Sequence, residues 1–194
     1  MIKRAFAPLC AILVLSAGPG LAQDEEAMMQ AWMAYMTPGE AHSALTSQAG
    51  EWSHQVTMWM GPGAPATEST ATSTAEAILG GRYLVERFSG NMMGMPFEGQ
   101  ALIGYDNAKQ KFFSTWVDNM GTGVMAAWGT VDPTTHTLTL TGTVVDPMTG
   151  EDKPFREVHT HSGPNEKTME MYGPGPDGQE YKMMEIHSTR AAAE

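Results

Sequence analysis

Cysteine is almost absent: the 194-residue sequence has one, Cys10, inside an apolar leader. Once that leader is set aside, disulfides, thiolate nucleophiles and cysteine metal sites are excluded, and stability must come from packing. Positive charge is scarce, with 11 Lys plus Arg against 22 Asp plus Glu and no basic run. Phosphate neutralisation of the kind nucleic-acid binders need is therefore missing, and no nucleic-acid partner is expected. Long apolar runs are lacking too. The stretch from Ala5 to Ser16 is too short to span a bilayer comfortably, so no stable membrane anchor is expected. Catalytic signatures are missing as well: there is no G-x-S-x-G and no H-E-x-x-H. Gly173-Pro174-Gly175-Pro176-Asp177-Gly178 matches G-x-G-x-x-G in letters, but its prolines remove amide donors, and it reads as a hairpin turn. No motif calls for a cofactor.

What is present begins with an export leader. Lys3 and Arg4 precede the apolar run, and Gly20-Leu21-Ala22 offers a small-x-small cleavage site, which predicts a signal peptide over 1–22 and a periplasmic or secreted product. A helical segment is expected over 23–49. Asp24, Glu25 and Glu26 suit a helix start, with Met28, Trp32 and Tyr35 or Met36 on one face. Thr37-Pro38-Gly39-Glu40 has capping-box spacing ahead of a second short helix carrying Ala41, Ala44 and Leu45.

From Gly50 the period becomes two, predicting a β domain over 50–190 and a tail over 191–194. Trp52, His54, Val56, Met58 and Met60 share one strand face, and His136, Leu138 and Leu140 share another opposite a row of threonines. Turn clusters recur at Asp106-Asn107, Asp132-Pro133, Asp146-Pro147 and Gly175-Pro176. The stretch Gly61 to Ser73 reads as a mouth loop. The pattern predicts an all-β fold: an antiparallel up-and-down barrel of about nine or ten strands after one or two short helices.

Gly50-Glu51-Trp52 opening the first strand and Arg190 closing the last resemble the ends of calycin (lipocalin-like) barrels, where a guanidinium stacks over a basal tryptophan. A longer series carries a more specific resemblance: Gly80-Gly81-Arg82-Tyr83-Leu84, Met92-Met93-Gly94-Met95-Pro96-Phe97-Glu98-Gly99, Gly104-Tyr105-Asp106, Ser114-Thr115-Trp116-Val117-Asp118, Arg156-Glu157-Val158, Glu170-Met171-Tyr172 and Met184-Glu185-Ile186. These runs resemble the domain-of-unknown-function 1579 family of exported bacterial proteins. The resemblance implies a lipocalin-like barrel and an exported location, and brings no catalytic residues with it. The chain departs from the family after Val158, where His159 and His161 stand in place of apolar residues.

Two histidines two apart on a strand project to one side with Glu157, a geometry suited to zinc or copper if Glu170 or His187 converges on them. Met92, Met93 and Met95 offer a thioether route to copper. Among the charged strand residues Arg82, Glu86, Arg156, Glu157, Glu170, Lys182 and Glu185, most are expected on an outer face laced with ion pairs. Arg82, Trp116, Asp118, Arg156 and Glu157 are the candidate pocket residues. The leading expectation is a non-catalytic exported barrel holding a small, largely apolar molecule. Metal binding, an enzyme on the barrel and an envelope-interaction protein are the alternatives.

Overall fold

The computed structural model describes residues 19–191, so the leader run Ala5–Ser16, Cys10 and the last three residues lie outside the described residues. Two helices, α1 (Pro19–Met36) and α2 (Glu40–Thr46), precede ten strands: β1 (Gly50–Trp59), β2 (Ala66–Ile78), β3 (Tyr83–Met92), β4 (Met95–Asp106), β5 (Lys111–Asp118), β6 (Met125–Val131), β7 (Leu138–Val145), β8 (Asp152–Gly163), β9 (Glu166–Pro174) and β10 (Glu180–Arg190). Every strand pairs antiparallel with its successor, and β10 returns to β1, closing an up-and-down barrel. Closure removes the unpaired strand edges that an open sheet of threonine- and valine-rich strands would expose. Among the described residues no helix is long and apolar enough to cross a membrane.

The chain divides into two units, one ending at Met36 and one starting at Thr37. In the first, α1 starts at Pro19 rather than Asp24, so the three acidic residues fall beyond its first turn. Met28, Trp32 and Met36 are exposed, and the Trp32 and Tyr35 rings meet edge to face. In the second, α2 belongs with the barrel and not with α1. Its Leu45 packs with Trp52, Ala75 and Leu84 at one end of the barrel, within the unit that starts at Thr37. The helix also starts two residues later than the proline placement predicts, with Gly39 as N-cap. The reason is local: Nδ1 of His42 accepts the Gly39 N–H at 3.1 Å, a bond that needs a helical first turn over residues 40–42.

Two further expectations are corrected. Gly61–Ser73 is not a mouth loop, because residues 66 to 73 are part of β2, paired with β1 along Ala66↔Trp59 to Ser73↔Trp52. Alternating β-branched threonines outweigh the glycine and proline that precede them. His136 does not share the face of Leu138 and Leu140. It sits at φ 55° in the turn where the Asp132 carboxylate takes the amides of Thr134 and Thr135.

Directly opposed residues in a sheet share a face, and the register traces one face around the whole barrel. His54 opposes Ser188 and Ala71; Ser73 opposes Phe88; Phe88 opposes Gly99; Ala101 opposes Trp116. Ala127, Gly142 and Phe155 continue it, as do Leu140, Glu157 and Met171. Trp52, Ala75, Leu84, Leu140 and Phe155, which are buried, lie on this inner face. Leu45, Trp52, Ala75 and Leu84 form a packed base closed by α2, and Ala127, Leu140 and Phe155 form a separate cluster on the β6–β8 side.

Candidate functional site

The base of the barrel is fixed by aromatic and charged groups from both chain ends. Trp52 is 2% exposed, and the Arg190 guanidinium lies 4.4 Å and the Lys167 ammonium 4.3 Å from its ring centre. Arg190 also donates to the carbonyls of Ala49 (2.6 Å) and Ser47 (3.0 Å), while the Trp52 indole N–H donates to Gln48 O at 2.9 Å. These bonds satisfy carbonyls at the end of α2 and tie it to the last strand.

Just above lies a buried polar chain. Lys167 on β9 reaches across the lumen to both oxygens of Glu86 on β3, at 3.3 Å each. The Ser73 hydroxyl donates to Glu86 at 2.7 Å, His54 Nε2 meets Ser73 at 2.8 Å, and His54 Nδ1 meets Ser188 at 2.8 Å. A carboxylate only accepts, so Ser73 gives its proton to Glu86 and accepts from His54 Nε2–H. With its pKa well below neutral the ring carries no second proton at about pH 7, and Nδ1 then accepts from Ser188. Burial pushes the His54 pKa down to about 4, Glu86 opposes that shift, and Lys167 adds to it. The order serine, histidine, serine, glutamate has the form of an activated hydroxyl, but an imidazole this acidic is a weak base. Ser188 is also buried, and the Phe88 ring lies 5.0 Å from the His54 ring. The chain locks the base rather than presenting a nucleophile.

Towards the other end the inner face changes character. Val56, Phe88, Phe97, Trp116, Met169 and Ile186 point inward by register yet remain half-exposed, so the upper lumen is not packed solid. Trp116 stacks near Phe97 (6.2 Å) and edge-on to Phe88 (5.2 Å), and its indole N–H donates to Asp118 at 2.7 Å. Gly99 makes this possible, because a Cβ there would lie 2.4 Å from the indole. Asp118 also takes the amides of Met120 and Gly121, fixing the turn after β5.

Of the five expected pocket residues, Trp116, Asp118 and Glu157 share the inner face. Arg156 projects outward, stacked on Tyr172 at 4.2 Å and paired with Glu180 at 2.6 Å; Glu180 in turn holds its guanidinium pKa above the ordinary value. Arg82 precedes β3 and donates to Leu79 O at 3.2 Å. The expected outer ion-pair face is found around Lys182, which bridges Glu170 and Glu185; bonds to Glu185 first and Glu170 next raise its pKa. Glu86 and Glu157 are the inward exceptions.

Glu157 and His159 do meet, at 3.1 Å, as the spacing predicts. The third ligands expected for a metal do not converge: Glu170 opposes Glu185 and His187 opposes Thr168 on the outer face. Among the described residues no group of three His, Cys, Asp or Glu side chains is placed to hold a metal ion. Met93 and Gly94, at φ 52° and 82°, form the two-residue turn between β3 and β4, and Met93 is largely exposed. A concavity of about 610 Å³ also lies against β10, β1, β2 and β3. Most of its lining, including Ser53, Gln55, Thr70, Thr72 and His187, faces outward, and it is made of hydroxyls, amides and the His54 and His187 imidazoles with no Phe, Tyr or Trp. Sequence reasoning missed Lys167, Ser73 and Ser188, whose roles depend on partners four strands away or on adjacent strands.

The family model described as "Protein of unknown function (DUF1579)" matches residues 37–190, and the chain belongs to that family. Among solved structures the chain is similar to that described as the crystal structure of Rv2717c from M. tuberculosis, with a TM-score of 0.60 and 13% identity over 80% of this chain and 100% of the other. At that identity the likeness is one of fold. No curated protein matches the chain.

Proposed function

We propose that this member of the DUF1579 family is a non-catalytic exported barrel that holds a small, largely apolar molecule in its upper lumen. The observation that carries the reading is the inward row of half-exposed apolar side chains above a sealed base. Packed interiors hide such residues, whereas a binding cavity keeps them accessible around a few placed polar groups. Trp116, Phe88 and Phe97 form the aromatic wall, Asp118 orients the indole, and Glu157 with His159 provides the polar contact within reach of a bound molecule. Export rests on Lys3, Arg4 and the apolar run that follows.

Native mass spectrometry of protein purified from its own source tests the proposal. A bound small molecule lost on gentle activation is expected, and the stripped protein should take up an apolar fluorescent probe that quenches Trp116. Stripped protein that takes up no apolar probe, and natural protein that carries no molecule, would together overturn the reading.

A further inference from the structure

We infer that the lumen mouth carries a thioether site for a soft monovalent cation, copper(I) or silver(I), built by Met58, Met171, Met183 and Met184. Three of these residues stand in one cross-strand row: Met58 on β1 opposes Met184 on β10, which opposes Met171 on β9. The fourth is brought in by a defect in the ladder. Lys182 pairs with Tyr172 and Met184 with Met171, so Met183 is the extra residue of a β-bulge. In a regular strand Met183 and Met184 would point to opposite faces. Here the Met183 sulfur lies 2.9 Å from where an inward Cβ of residue 173 would stand, and residue 173 is glycine. Bulge and glycine together put two consecutive thioethers on the lumen side beside Met171.

Methionine commonly fills irregular gaps in cores, but gap-filling methionines are buried. Met58, Met183 and Met184 are partly exposed and are not among the side chains packed on either core cluster, and Met171, which packs against the Ala127–Leu140–Phe155 cluster, keeps part of its surface accessible. Thioethers are soft, weakly basic donors that select copper(I) over zinc, calcium or magnesium. A closed-shell ion accepts the trigonal or tetrahedral arrangement that flexible methionine side chains can supply. The site does not depend on the apolar-ligand proposal, though Met171 stands directly opposite Glu157, and its donors include neither the His159–Glu157 pair nor the Met92–Met95 hairpin.

The test is a titration of the full purified chain with copper(I) held by a chromogenic chelator, and with silver(I) monitored through methyl-labelled methionine resonances. One equivalent should leave the chelator, and the methyl signals of Met58, Met171, Met183 and Met184 should move while that of exposed Met148 stays. Replacing all four by leucine keeps apolar volume and should weaken metal binding by at least about tenfold while the apolar probe still binds. Single Met171→Leu and Met183→Leu variants serve if the quadruple variant does not fold. Failure to draw metal from the chelator, leucine variants that bind like wild type, or shifts confined to Met92, Met93 and Met95 would overturn the site without touching the apolar-ligand proposal.

Discussion

Trp52 and Arg190 are direct cross-strand partners, an inner-face residue near the start of β1 opposite the last residue of β10. Their stacking at 4.4 Å closes the barrel at the point where its two ends meet. Arg190→Ala removes this contact and the bonds to Ala49 and Ser47 carbonyls, and should cost about 2–3 kcal/mol in urea unfolding. Arg190→Lys should restore only part of that loss, since an ammonium cannot reproduce the two-carbonyl fork. Wild-type stability in Arg190→Ala would remove the closure role.

His54 makes stability depend on pH. Its folded pKa, about 4, is below the unfolded value of 6.5, so the unfolded chain binds the extra proton between these limits. The stabilisation is complete above pH 6.5 and is lost as pH falls towards 4, up to about 3 kcal/mol. Denaturation midpoints measured from about pH 7 to pH 4 should fall more steeply in wild type than in His54→Asn. Parallel curves would show that His54 is not the group responsible.

Gly99 leaves room for the Trp116 indole, whose nearest ring atoms lie 2.4 and 2.5 Å from where a Cβ on residue 99 would stand. Gly99→Val should swing Trp116 away from Phe97 and Asp118, with a cost of about 1–3 kcal/mol. Near-ultraviolet circular dichroism and indole fluorescence should both change, and uptake of an apolar probe should weaken. An unchanged indole spectrum would mean that Trp116 does not need this space.

Leu140 is 1% exposed and packs with Ala127 and Phe155 in the second core cluster. Leu140→Ala should destabilise the barrel by about 2–5 kcal/mol through lost burial and the cavity left behind. Calorimetry checks the value, and a loss well under about 1 kcal/mol would show that the neighbouring side chains collapse into the gap.

The candidate site was legible wherever one strand's own alternation was enough. Glu157, His159 and His161 fall on one face because the side-chain period of a strand is two, and the structure keeps that spacing. Their suggested partners failed because Glu170 and His187 obey the same rule on the opposite face. Met183 was beyond reach for a different reason: a bulge breaks the period, and nothing in Lys182-Met183-Met184 announces one.

Most of the strand pattern, the turn positions and the basal pairing of Trp52 with Arg190 follow from the order of residues, because periodicity, turn chemistry and family motifs are local properties written residue by residue; the start of β2 and the turn at His136 are the exceptions. The closed sheet was needed to show that Lys167 spans the lumen to Glu86, that α2 seals one end, and that Met58, Met184 and Met171 stand in one cross-strand row. Those outcomes depend on which strands face each other once the barrel closes, a distance in space that no local pattern encodes.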